Sequence, residues 1–220
     1  MVAVVAWLIC SGTAAAQQAT DVAPVIPRAD FHAVIGWQNL RRNTGDDRFG
    51  SYNNWANGIF YGGAGAGWHW TDHHKTQVDF GAGTRGDHYR YRAVSINGAQ
   101  GSEVSHVRVQ QQSLALSQQY QFYRNQWFHP RVGLGVDIAR ETLTEDFQPL
   151  TVYDPVSRTS RLIAPARTEG PTHRIVARPF GEAGFKAYMT RRSFFTTDMR
   201  LMFRNGIDEV LFRLGFGIDF

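Results

Sequence analysis

The chain has one cysteine, Cys10, and it lies inside an apolar N-terminal run. A disulfide framework is therefore excluded, and a chain trimmed past that run has no thiol chemistry at all. No stretch after residue 20 approaches 18 consecutive apolar residues, so no membrane-spanning helix is encoded there. Charged residues are sparse, at 19%, and the net charge of +4 is not gathered into runs. The two arginine pairs, Arg41-Arg42 and Arg191-Arg192, stand at strand ends. Nucleic-acid binding needs a clustered basic face, and none is expected. Also missing is any apolar repeat of 3.6 residues. Glycine is abundant instead, with 22 residues, and aromatics reach 13%, a mixture that favours strands and turns.

The N-terminal "MVAVVAWLIC" followed by "SGTAAAQQ" reads as the apolar core of a secretory signal. A small-x-small cleavage site follows at Ala14 and Ala16. The expected organisation is a cleavable signal peptide over 1–16, a short periplasmic lead over 17–29 and one domain over 30–220. Ile9 before Cys10 disfavours a lipidated cysteine.

Beyond residue 30 the chain alternates. At its end, "VLFRLGFGIDF", every second residue is apolar: Val210, Phe212, Leu214, Phe216, Ile218 and Phe220. Asp219, Gly217, Gly215, Arg213 and Leu211 stand between them. Seven further segments repeat the pattern, among them "DFHAVIGWQ", "GIFYGGAGAGWHW", "TQVDFGAGTRG" and "WFHPRVGLGVDIA". In "SLALSQQYQFY" the apolar face of Leu114, Leu116, Tyr120 and Phe122 is interrupted by Gln118. Period-two alternation over about ten residues marks a strand with two unlike faces. Eight such segments predict an all-β protein.

Two patterns favour a closed antiparallel barrel in a membrane over a soluble sandwich. Connections alternate between long (43–58, 87–106, 140–172) and tight (71–75, 124–126, 190–193), as expected when short turns gather on one side of a membrane, and only the last, 205–209, departs by being short where a long one is due. Outward aromatics also collect near the tight turns: Trp68, Trp70, Tyr120, Phe122, Phe128 and Phe195. That is where an interfacial girdle belongs. Trp37, Phe60, Phe203 and Phe212 would mark the other rim. The expected fold is an eight-stranded up-and-down transmembrane barrel. Ten strands is the alternative, if "TVYDPVSRTSRLI" adds a pair.

The terminal strand, closing on Phe220, resembles the C-terminal recognition strand of bacterial outer-membrane proteins. This implies that Phe212, Leu214, Phe216, Ile218 and Phe220 are read by the outer-membrane assembly machinery. Over 30–220 the pattern resembles the small OmpA-type and OmpX-type barrels and the broad class of outer-membrane β-barrel domains. That resemblance implies an outer-membrane location, contact with outer-membrane lipid and lipopolysaccharide, and an extracellular partner met through the 140–172 connection. It names no activity.

The face opposite the apolar one carries Asp79, Arg85, Asp137, Arg178, Glu182, Lys186, Asp198, Arg200 and Arg213. An eight-stranded barrel is just wide enough to be filled by side chains, and buried charges there must pair. A salt-bridge network through the lumen is expected, with Glu182, Lys186, Asp198 and Arg200 at its centre. The expected role is structural or surface interaction. A narrow porin-like channel and a lipid A-modifying enzyme are the alternatives.

No cofactor, metal or catalytic centre is expected. "GGAGAG" at 62–67 lacks the Lys-Ser/Thr of a phosphate loop. Asp72, His73 and His74 fall in a tight turn with no further ligand nearby. The His-x-Ser of lipid A deacylases is absent. Asp46, Asp47, Asp87, His88 and Asp146 could be drawn into a protease-like site of paired acids and a His-Asp dyad, but each is expected to be a solvated loop residue.

Overall fold

The computed structural model describes residues 28–41, 55–122, 127–154 and 156–220. The expected signal peptide, residues 17–27 of the lead, most of the first long connection with Asp46 and Asp47, and the 124–126 turn lie outside the described residues. Among the described residues there is no helix, and eleven strands share one sheet. They are β1 (Ala29–Arg41), β2 (Trp55–His69), β3 (His74–Gly83), β4 (Gly86–Ile96), β5 (Ala99–Gln121), β6 (Phe128–Phe147), β7 (Leu150–Asp154), β8 (Thr159–Ala164), β9 (Arg167–Tyr188), β10 (Ser193–Phe203) and β11 (Ile207–Asp219).

Eight of them close a ring in the order β1, β2, β3, β5, β6, β9, β10, β11 and back to β1, every pair antiparallel. The seam runs from Asp30 opposite Asp219 to Leu40 opposite Glu209. It continues past β11, where the Phe220 amide donates to the Ala29 carbonyl at 2.8 Å and the Arg28 amide to the Phe220 carbonyl at 3.0 Å. Closure leaves no free sheet edge in the ring, which is what backbone polar groups in lipid require.

The alternation seen in the sequence is an inversion of a soluble protein. Leu134 and Ile175 point outward and are 74% and 76% exposed, whereas Lys186 and Arg213 point inward and are fully buried. Glycines permit this filling. A side chain on Gly81 would meet the Tyr61 hydroxyl at 1.9 Å, and one on Gly67 would meet Lys75 at 1.9 Å. Long inward side chains thus lie across glycine positions of the neighbouring strand.

The second and third long connections are built of strands. The 87–106 stretch is a hairpin: β4 and the first half of β5 pair from Gly86–Val109 to Ile96–Ala99 around Asn97-Gly98. Both turn residues have positive φ, 51° and 83°, as a two-residue hairpin turn demands. β4 prolongs β3 beyond a break at Thr84-Arg85. Strands of 20 to 23 residues, β5, β6 and β9, are about twice what a membrane crossing needs, so their far halves stand clear of the barrel. β7 and β8 form a hairpin that attaches to β5 at Gln100 and Gly101. It lies outside the ring, so the barrel has eight strands, not ten.

Candidate functional site: the barrel interior, its mouth and the aromatic rim

Register places charges of opposite sign directly across from one another. Arg200 on β10 faces Glu182 on β9, Asp198 faces Arg213 on β11, and Asp137 on β6 faces Arg178 on β9. Arg200 Nε donates to Glu182 Oε2 at 2.8 Å, and its Nη2 contacts Asp79. Arg213 grips Asp198 with two parallel bonds, Nε at 2.8 Å and Nη2 at 3.0 Å. Arg131 Nη2 reaches the same carboxylate at 2.8 Å. His32 Nε2 lies 2.8 Å from Asp79. Fork geometry of this kind is where arginine outperforms lysine.

Lys186 stands apart from this group. It is four residues along β9 from Glu182, nearer the short turns, and its Nζ bonds Asp30 and Asp219, each at 2.9 Å. Lys75 meets Asp30 at 2.7 Å. The centre of the charge cluster is therefore Asp79, Glu182, Asp198, Arg200 and Arg213, without Lys186. Arg178 and Asp137 belong to a separate group nearer the long hairpins. There Arg178 bonds Asp137 at 3.1 Å and Glu209 at 2.7 Å, and Arg174 bonds Glu141 at 2.5 Å. Between the two groups lies an inward apolar layer of Val34, Tyr61, Ala115, Phe180, Met202 and Leu211. The Arg200 guanidinium sits 4.7 Å from the Phe180 ring centre.

Arg85 departs from the expected set: it is exposed and outside the interior. Opposite β5 the pairing is Ala82–Gln112 before the break and Gly86–Val109 after it. The extra residue shifts the register by one and sends Arg85 out. Asp30, His32, Lys75, Glu141 and Glu209, all buried, were absent from the expected set. Extending the same alternation one or two residues into the supposed turns reaches Lys75, Glu141 and Glu209.

Above the Arg178 group a cavity of about 350 Å³ opens at the mouth, lined by Arg41, His88, Arg90, Glu145, Arg174 and Asp208 among others. Arg90 reaches Glu145 at 3.3 Å and Ser105 Oγ donates to that carboxylate at 2.5 Å.

At the short-turn end the outward aromatics touch in series. Phe128 and Phe185 are 4.9 Å apart, Phe185 and Phe195 6.4 Å, Phe195 and Phe216 5.6 Å. Trp68 packs edge-on to Trp70, and Tyr120 to Phe122. Gln118, which broke the apolar face, accepts from Thr76 Oγ1 at 2.6 Å, and Thr76 accepts from Trp70 Nε1 at 2.7 Å. Its polarity suits the rim. His73 and His74 flank the Tyr120 ring in the same region. On β11, Phe212, Phe216, Ile218 and, just beyond it, Phe220 are exposed on the outer wall, with Leu214 half-buried.

No family model matches the chain, and no curated protein matches it. Solved structures do. Neisserial surface protein A superposes with a TM-score of 0.51 at 12% identity, over 87% of this chain and 97% of that one. OprG, an outer membrane protein from Pseudomonas aeruginosa, gives 0.49 at 14% identity over 88% and 97%. Ail, the attachment invasion locus protein of Yersinia pestis, gives 0.48 at 9% identity over 88% and 99%. At these identities the likeness is one of fold. The chain is a closed eight-stranded barrel of the OmpA and OmpX type, the architecture of small outer-membrane proteins.

Proposed function

We propose that the protein is exported by its N-terminal signal, spans the bacterial outer membrane with the short turns in the periplasm, and acts outside the cell as a surface-interaction protein. The observation that carries this reading is the sheet that continues past the barrel. Among the described residues its edges are open: β8 pairs with β7 alone and is exposed from Thr159 to Ile163, and β4 meets β2 at one position, Asn57 opposite Asp87. Unpaired strand edges are templates for another chain, and strand addition is a common mode of peptide recognition. Below the sheet, the ion-paired groups and the apolar layer fill the lumen. This supports a scaffold rather than a conduit.

The test is removal of the hairpin. Residues 149–165 are deleted and Gln148 is joined to Ala166 through two glycines, a short bridge between paired Phe147 and Arg167. Cells displaying this variant are expected to lose adhesion to an epithelial monolayer that cells with the intact chain retain. Unchanged adhesion by a correctly inserted variant contradicts the reading. In planar bilayers the intact protein is expected to be silent, and steady ion conductance would contradict a filled lumen.

A further inference from the structure

The outer wall does not end uniformly at the long-hairpin side. On β1, β2, β10 and β11 the exposed apolar surface ends in Trp37, Phe60, Phe203 and Phe212. On β5, β6 and β9 it ends in Leu114, Ile138 and Ile175, with polar groups following at once, and on β3 it ends in Phe80, followed by half-buried Ala82 and then Thr84. Register sets these in rows: Gln112 opposite Arg140, then Gln110 opposite Thr142, which in turn faces His173. Thr142 and His173 bond at 3.0 Å. A shallow groove of about 200 Å³ lies between Gln110, Gln112, Arg140 and Thr142. Arg85, turned out by the strand break, stands beside it, since its neighbours Ala82 and Gly86 pair with Gln112 and Val109.

Neither Arg85 nor Arg140 has an ion-pair partner among the described residues. The nearby outward carboxylates are occupied: Asp87 is 2.8 Å from His106, and Asp146 is 2.5 Å from Arg108. Two exposed guanidinium groups, flanked by amide and hydroxyl side chains, thus sit where an apolar wall meets the polar layer of a membrane. From this we infer that the Arg85–Arg140 groove binds the phosphorylated headgroup of a lipid in the leaflet facing the long hairpins. The chemistry is that of arginine forks on phosphate oxygens. The outward position, flush with lipid-facing leucine and isoleucine, selects a headgroup anchored in the bilayer over a free anion. The inference rests on the membrane-barrel reading.

The test uses the full chain refolded in zwitterionic micelles, titrated with diphosphoryl lipid A and with its dephosphorylated form. Native mass spectrometry reads binding, and each protein is first checked for a heat-dependent gel shift. The intact chain is expected to prefer the diphosphoryl form. R85A/R140A should weaken that binding by about tenfold or more, as loss of two interfacial arginines implies, whereas R158A/R161A on the exposed hairpin should not. Q112E, which sets a carboxylate opposite Arg140, should also weaken it and serves if the double variant does not refold. Equal affinity for the two lipids, undiminished binding by a gel-shifting R85A/R140A or Q112E, or displacement by millimolar inorganic phosphate would overturn the assignment. An intact chain with no gel shift would instead overturn the barrel itself.

Discussion

At the scale of single residues, the interior is held by pairs that cannot be broken one side at a time. Arg200 is fully enclosed and serves two carboxylates, Asp79 and Glu182. Arg200→Ala leaves both under-compensated and is expected to cost about 3–5 kcal/mol, read as a lowered urea midpoint in micelles. Arg200→Met with Glu182→Met removes both partners of one pair. It should cost less than the sum of the single changes, and additivity would deny the coupling. Much of this was legible in the sequence. Alternation alone places Glu182, Asp198, Arg200 and Arg213 inside, because a strand has just two faces. It fails at Arg85, where one inserted residue swaps the faces, and nothing in "GTRGD" marks the insertion. Nor does alternation give height along the strand, so it does not separate Lys186 from the Glu182 group, although the two lie four residues apart along β9.

Elements show the same division. The membrane-crossing strands announce themselves by strict alternation, while β8 is exposed on both faces and the buried face is only two residues long in β4 (Gly86, His88) and in β7 (Leu150, Val152), too short to reveal a strand. Asn97-Gly98 was a readable hairpin signal even so, since few other dipeptides accept positive φ twice. The β7–β8 turn has its own signature. The Ser157 hydroxyl and the Val156 amide both donate to Asp154, at 2.7 and 2.9 Å, and hold its carboxyl below the ordinary aspartate value of 3.8. A depressed value means that the ionised carboxylate stabilises the turn at neutral pH and that this contribution is lost as pH falls through the folded value. Amide protection at Val156 and Ser157, measured relative to the pH-dependent rate of an unstructured amide, should therefore stay high above the carboxylate range and fall in acid. In Asp154→Asn it should show no such dependence. The last strand offers a second test. Removing Phe220 deletes two seam hydrogen bonds and the exposed terminal aromatic. Refolding in detergent should survive, because eleven rungs from Asp30 to Leu40 remain. The amount reaching the outer membrane in cells should fall several-fold if the strand is read by the assembly machinery, and equal amounts would deny that role.

The whole molecule is a closed cylinder with apolar residues outside and ion pairs within. A soluble sandwich built on the same alternation would bury Leu134, Ile175 and Phe216 between two sheets. Here they face outward, and the arginines face in. The most direct measurement is gel mobility of the refolded chain in SDS, unboiled against boiled. A closed barrel keeps its backbone hydrogen bonds in SDS until heated, so the unboiled protein should run faster than the boiled. Coincident bands from a chain that stays soluble without detergent would contradict the account.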